Sequence, residues 1–168
     1  MDARNTDARN GAAAPVMERE VVITRILDAP RDLVWKLWTD AKHMAQWWGP
    51  KDFTNPVCEL DVRPGGAWRI VMRSANGTEY PCGGVYREIV APERLVFTNI
   101  ATDNEEKPIL DGLTTVIFAE HGSKTKLTLQ TRATALVAYA AAYLTGMKEG
   151  WSQSLDRLEA LAACAQKR

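Results

Sequence analysis

Ala67-Trp68-Arg69-Ile70-Val71-Met72-Arg73, then Ala75-Asn76-Gly77, then Glu79-Tyr80-Pro81-Cys82-Gly83-Gly84-Val85-Tyr86 is the stretch that sets the fold class. Trp68, Ile70 and Met72 fall on one face, with Arg69 and Arg73 on the other. That two-residue period marks a half-buried strand. Asn76-Gly77 is a strong hairpin signal, because these residues accept the positive φ of a tight turn. The return segment runs to Val90 and is interrupted at Pro81–Gly84. Proline cannot donate to a ladder, so it marks an edge or a β-bulge, and the paired glycines favour the bulge. A bulge shifts the alternation by one residue, so Tyr86 can face either side of the sheet.

The same patterns extend outward. Glu20-Val21-Val22-Ile23-Thr24-Arg25-Ile26-Leu27 is a β-branched strand, stopped by Asp28-Ala29-Pro30. Asp28 is the expected cap of the next helix, with Pro30 in its first turn. Val34, Leu37, Trp38 and Ala41 have helical spacing, and a second short helix covers Lys42 to Trp47, ended by Gly49-Pro50. Asn55 to Val62 is a strand with Cys58, Leu60 and Val62 on one face, and Pro64-Gly65-Gly66 turns the chain. Downstream, strands are expected over Arg94–Ile100, Leu113–Glu120 and Lys124–Thr134. One long helix is expected from about Ala135 to Ala163, roughly 40 Å at 1.5 Å per residue. Its apolar stripe is Met147, Trp151, Leu155, Leu158 and Ala162. Gly146 and Gly150 lie on it, and each costs about 1 kcal/mol against Ala, which points to a close approach or a kink.

This order predicts an α+β fold: a seven-stranded curved antiparallel sheet wrapped around a long C-terminal helix, with two short helices after the first strand. Such a grip leaves a pocket between sheet and helix. Residues 18–164 form a single domain. Residues 1–17, with the repeated Asp-Ala-Arg-Asn at Asp2–Asn5 and Asp7–Asn10, are expected to be a disordered tail.

Composition excludes several classes. The chain has 168 residues, with 21 Lys+Arg against 21 Asp+Glu, so it lacks a basic footprint for nucleic acid. No apolar run is long enough to insert into a membrane, and no secretory leader precedes the first strand. A soluble, cytoplasmic protein is expected, its three cysteines reduced. The three cysteines and two histidines are scattered, and no familiar catalytic or metal-binding motif occurs. The expectation is therefore no metal, no cofactor and no catalytic set. Glu59 and Asp61 share a strand face, which is expected to be solvated. His121, in a turn, is expected in solvent; His43, shortly before Trp47, is a less favoured candidate for the pocket mouth.

Five stretches carry a family resemblance. They are Ala29-Pro30-Arg31-Asp32-Leu33-Val34-Trp35, Trp47-Trp48-Gly49-Pro50 and Asp61-Val62-Arg63-Pro64-Gly65-Gly66-Ala67-Trp68. The others are Pro92-Glu93-Arg94-Leu95-Val96-Phe97-Thr98 and Gly150-Trp151-Ser152-Gln153-Ser154-Leu155-Asp156-Arg157-Leu158. Together they resemble the SRPBCC (START-like) superfamily, and within it the bacterial relatives of the C-terminal domain of the heat-shock chaperone ATPase activator. The resemblance implies a helix-grip fold enclosing an apolar cavity. It leaves activity open, because relatives use one cavity differently.

Six tryptophans dominate the candidate site. Trp68, Ile70 and Met72 on a strand and Met147, Trp151 and Leu155 on the helix are expected to oppose each other across the interior. Trp38, Trp48, Tyr86, Leu95 and Phe97 complete the expected lining of a ligand pocket. Arg69, Glu79 and Tyr80 are candidate polar handles. The leading expectation is binding of a hydrophobic or aromatic small molecule, with catalysis less favoured. An alternative is a polyketide cyclase- or aromatase-like enzyme using the same cavity. A further alternative is a co-chaperone acting on a heat-shock ATPase, ranked third because the eukaryotic activator's extra N-terminal domain has no counterpart in the short tail. An edge strand permits a weak homodimer.

Overall fold

The hairpin at residues 67–90 lies next to one edge of a seven-stranded antiparallel sheet in a computed structural model that describes residues 17–166. The strands are β1 (Met17–Leu27), β2 (Thr54–Leu60), β3 (Ala67–Arg73), β4 (Glu79–Val90), β5 (Arg94–Thr102), β6 (Pro108–His121) and β7 (Lys124–Ala135). Strands β2 to β7 each pair with the next, and β1 closes the far side against β7, in register from Met17↔Ala135 to Leu27↔Thr125. The expected tail lies outside the described residues except for Met17, which opens β1.

Helices α1 (Arg31–Thr39) and α2 (Ala41–Trp47) link β1 to β2. Asp28 does not cap α1. Pro30 occupies that position with no side-chain hydrogen bond. The effective cap is Asp40, whose Oδ1 accepts from the backbone N–H of Lys42 at 2.9 Å and of His43 at 3.3 Å. It satisfies the donors that open α2 while ending α1.

Two further expectations are corrected. The bulge is not at Pro81–Gly84, where β3 and β4 pair without a shift from Ala67↔Val85 to Arg73↔Glu79. It lies beyond Tyr86, where the β4–β5 register slips between Tyr86 and Glu88. Pro81 is tolerated because the ladder to β5 begins at the next residue, Cys82↔Ala101. The alternation set by β3 therefore carries through, and Tyr86 faces inward, 3% exposed.

The C-terminal helix is also shorter than expected. Strand β7 continues to Ala135, a 3₁₀ turn covers Ala138–Ala140, and α3 (Ala141–Thr145) stops at Gly146. Helix α4 (Met147–Gln166) then runs for 20 residues, about 30 Å. The kink expected from the glycines is a complete break at Gly146. The stripe lies wholly on α4, with Leu155, Leu158 and Ala162 fully buried on the concave face of the sheet.

Inward-facing residues change size along the sheet. Towards one end they are large: Tyr86, Leu95, Phe97, Phe118, Leu127 and Leu129 are all buried. Towards the other end the same rows continue as Ala101 on β5, Gly112 on β6 and Ala133 on β7, with Gly112 facing Asn99 on one side and Ala133 on the other. Large residues close the gap to the helix at the first end, and small ones leave it open at the second.

Candidate functional site

All six tryptophans belong to one aromatic network. Trp38 is its hub, with ring centroids 4.6 Å from Trp47, 6.0 Å from Phe118 and 6.4 Å from both Phe97 and Trp151. Trp35 joins through Phe118 at 5.4 Å, and Trp48 lies 5.5 Å from Trp68 and 5.3 Å from Trp151. Most of these pairs are tilted or edge-to-face, the arrangement the ring quadrupoles favour. The indole N–H groups of Trp47 and Trp68 donate to the carbonyls of Leu37 and Thr98, each at 2.9 Å. The Trp38 N–H is buried without a partner. Six of the expected lining residues, Trp38, Trp48, Trp68, Tyr86, Leu95 and Phe97, surround a void of only about 10 Å³, about the space of one water.

The larger cavity is elsewhere. Its volume is about 650 Å³, and it lies between the small-residue end of the sheet and the segment where α3 passes into α4. Of the expected ligand-binding residues, Trp48, Met72, Met147 and Trp151 line it. Trp38, Trp68, Ile70, Tyr86, Leu95, Phe97 and Leu155 do not: they are buried in the packed core. The physical reason is that seven large side chains facing one another fill the space they enclose. Trp48 and Trp151 form the partition between core and cavity.

Sequence reasoning missed most of the remaining lining. The floor is Asn99, Ala101, Leu110, Thr131 and Ala133 from β5, β6 and β7. Tyr80, Pro81 and Cys82 come from β4, and Tyr139, Ala142 and Tyr143 from the turn and α3. The available signal is the run of small inward residues, which becomes visible once the strand register is known. Of the other polar candidates, Tyr80 lines the cavity and Glu79 sits at its rim, held by Arg73 at 2.6 Å. Arg69, Glu59 and Asp61 are exposed on the outer side. His121 is exposed at the end of β6, and His43 Nδ1 lies 3.3 Å from Asp40 Oδ1, away from the cavity.

One wall is fastened from α4. Arg157 Nη1 donates to the carbonyls of Trp48, Gly49 and Pro50 at 3.0–3.1 Å, and Nη2 donates to that of Gln46 at 3.2 Å. The Gly49 N–H donates to Ser154 Oγ at 3.0 Å, and the Lys51 N–H to Gln153 Oε1 at 2.9 Å. This clamp sets Trp48, Gly49 and Pro50 against Gly150 and Trp151 along the cavity.

The electrostatics are simple. Glu79 and Asp103, both at the rim, are the charged residues of the lining; it holds no Lys, Arg or His. Hydrogen bonds from the backbone N–H groups of Lys107 and Glu105 hold the Asp103 carboxyl below its ordinary value. Burial pushes the Cys82 thiol up to about 12, against an opposing hydrogen bond from Trp48. Burial, then the neighbouring phenols of Tyr80 and Tyr139, raise Tyr143. Among the described residues, no three His, Cys, Asp or Glu side chains gather as a metal site. No described helix is long and apolar enough to cross a membrane.

A curved sheet closed on a C-terminal helix, with a cavity between them, defines a helix-grip protein of the START/SRPBCC type. The chain belongs to the family described as Activator of Hsp90 ATPase homolog 1-like protein, whose model matches residues 28–163. It is similar in structure to a Rhizobium leguminosarum protein (27% identity, TM-score 0.75, covering 88% of this chain and 95% of that one). A Chromobacterium violaceum protein matches at 29% identity and TM-score 0.69, covering 85% and 96%. The AHSA1 protein of Silicibacter pomeroyi shares the fold at 23% identity and TM-score 0.74, covering 88% and 99%. No functionally curated protein matches.

Proposed function

We propose that the chain binds a hydrophobic or aromatic small molecule in the cavity at the open end of the grip. The observation that carries this reading is the cavity of about 650 Å³, with a floor of uncharged side chains. That volume falls within the usual range for small-molecule sites, and an apolar wall with few polar groups is their usual lining. The cyclase-like alternative needs titratable groups converging inside the cavity. Three phenols, Tyr80, Tyr139 and Tyr143, do gather in the lining, but the carboxylates stay at the rim, the Cys82 thiol is held neutral by burial, and burial raises Tyr143, so these groups favour the neutral, binding role. The co-chaperone alternative needs an exposed apolar or strongly charged patch away from the cavity. The outward residues Ile26, Leu113 and Ile117 are exposed, but each faces a cation across the ladder, in the pairs Ile26↔Lys126, Leu113↔Arg132 and Ile117↔Arg94. A weak homodimer would form along β1, because Pro56 and the irregularity between Thr54 and Val57 blunt the β2 edge.

A thermal-shift screen of uncharged aromatic compounds tests the proposal. A ligand at about 100 times its Kd adds roughly 2.7 kcal/mol of stability, which is several degrees for a domain of this size. Trp151→Ala opens the partition and Ala142→Trp fills the cavity, so each is expected to abolish the shift. Hits whose shifts survive in both folded variants would sink the proposal.

A further inference from the structure

The floor of the cavity contains a directed chain of hydrogen bonds. Thr114 Oγ1 donates to Asn99 Oδ1 at 2.9 Å, and Thr114 and Thr131 share a contact of 2.8 Å between their hydroxyl oxygens. A hydroxyl has one proton. Thr114 gives its proton to Asn99, so Thr131 must be the donor to Thr114. The order is then Thr131 to Thr114 to Asn99 Oδ1, and it satisfies both buried hydroxyls, Thr114 at 0% and Thr131 at 2% exposure. Exchanging Oδ1 and Nδ2 of Asn99 would reverse the chain and leave the buried Thr131 proton without an acceptor, which costs about 1–3 kcal/mol. The chain therefore fixes the amide with its NH₂ group free. That NH₂ makes no hydrogen bond among the described residues, and Asn99 lines the cavity.

We propose that Asn99 is the specificity-determining residue of this cavity, donating from Nδ2 to the carbonyl-type oxygen of an uncharged, otherwise apolar ligand. This rests on the cavity being a ligand site. Three observations narrow the class. The oriented amide offers a donor, so the ligand must bring an acceptor. Ala101, two residues along β5, and Ala133, across Gly112, share the floor with Asn99 and offer small apolar surface, which suits a flat ring or an alkyl chain. No cationic side chain is present to balance an anion, and both charged residues of the lining are acidic, so a carboxylate ligand would be desolvated without a partner.

A matched set of three ligands tests this by titration calorimetry: 2-acetylnaphthalene, 2-isopropenylnaphthalene and 2-naphthoate. The first two have the same shape and differ in the oxygen. The ketone is expected to bind roughly three- to tenfold tighter than the hydrocarbon, the value of one neutral hydrogen bond. Naphthoate is expected to bind most weakly. Asn99→Leu should remove the ketone preference, so that ketone and hydrocarbon bind the variant alike. The side-chain NH₂ resonances of Asn99 give a second readout in the unmodified protein: they should shift with the ketone more than with the hydrocarbon. Equal affinities for the first two ligands, a preference that survives Asn99→Leu, or NH₂ resonances unmoved by bound ketone would each overturn the proposal while leaving the cavity reading intact. Failure of all three ligands to bind would overturn both.

Discussion

Arg157→Ala would test whether the cavity wall is held by the clamp from α4. The guanidinium Nη1 lies 3.0–3.1 Å from three carbonyl oxygens, those of Trp48, Gly49 and Pro50, and Nη2 adds Gln46. One nitrogen cannot give three full bonds, so the set is worth one or two charged hydrogen bonds, each about 1.5–3 kcal/mol. The carbonyls are not fully sealed and regain some water when the side chain goes. A loss of about 2–4 kcal/mol follows, read by urea denaturation, or a Tm lower by roughly 4–16 °C. Burial lowers the pKa of Arg157 from its ordinary value, yet the group stays charged at neutral pH, so the loss should be nearly flat from pH 6 to 9. Arg157→Lys should recover only part of it, because a single ammonium cannot span the same carbonyls. A loss below about 0.5 kcal/mol, or full recovery by lysine, would refute the clamp.

Two further predictions follow from local geometry. In Gly84→Ala the added Cβ would lie 2.0 Å from the Thr98 carbonyl oxygen, forcing β4 and β5 apart and breaking the Trp68–Thr98 bond. The variant should lose at least about 3 kcal/mol or fail to fold, whereas Gly122→Ala, at φ +66 in open space, should lose about 1 kcal/mol; comparable losses in parallel urea melts would contradict this. Burial pushes Cys58 up to about 11 and Cys82 to about 12 from an ordinary 9.0. At pH 8 the exposed Cys164 should react with a disulfide reagent well before either. Above pH 9 the unfolded chain releases thiol protons that the folded chain keeps, so stability should fall between pH 9 and 12. Rapid labelling of Cys82 in the folded protein at pH 8 would contradict this.

The sheet was legible because each strand carries its own marks. Trp68, Ile70 and Met72 alternate with outward residues, and Asn76-Gly77 turns the chain. These are local signals of period two. The helix break was less legible. The stripe from Met147 to Ala162 keeps its phase, while the segment before it is rich in alanine, which suits the end of β7, a 3₁₀ turn and α3 equally well. Ala135 closes β7, and Ala140 and Leu144 form a small separate core under α3. The cap by Asp40 was hidden for another reason. The sequence separates the two helices, but Asp40 sits at the end of the first helix's pattern, where its role as the cap of the second is not marked.

The cavity was misplaced by the same reasoning that found the core. Large aromatic residues draw attention, and a cavity is built where they are absent. Ala101, Gly112 and Ala133 are individually unremarked, and only the register Asn99↔Gly112↔Ala133 brings small residues side by side. The stretches that carry the family resemblance divide along the same line. Trp47-Trp48-Gly49-Pro50 and the segment from Gly150 to Leu158 meet in the clamp made by Gln153, Ser154 and Arg157. The stretch from Pro92 to Thr98 ends one residue before Asn99. The resemblance thus rests largely on the scaffold, while the floor residues Asn99, Ala101, Thr131 and Ala133 lie outside it. If the cavity holds the proposed ligand, substitution at the floor would change what it accepts without touching the clamp or the aromatic core, and this separation would give one fold physical room for many ligands.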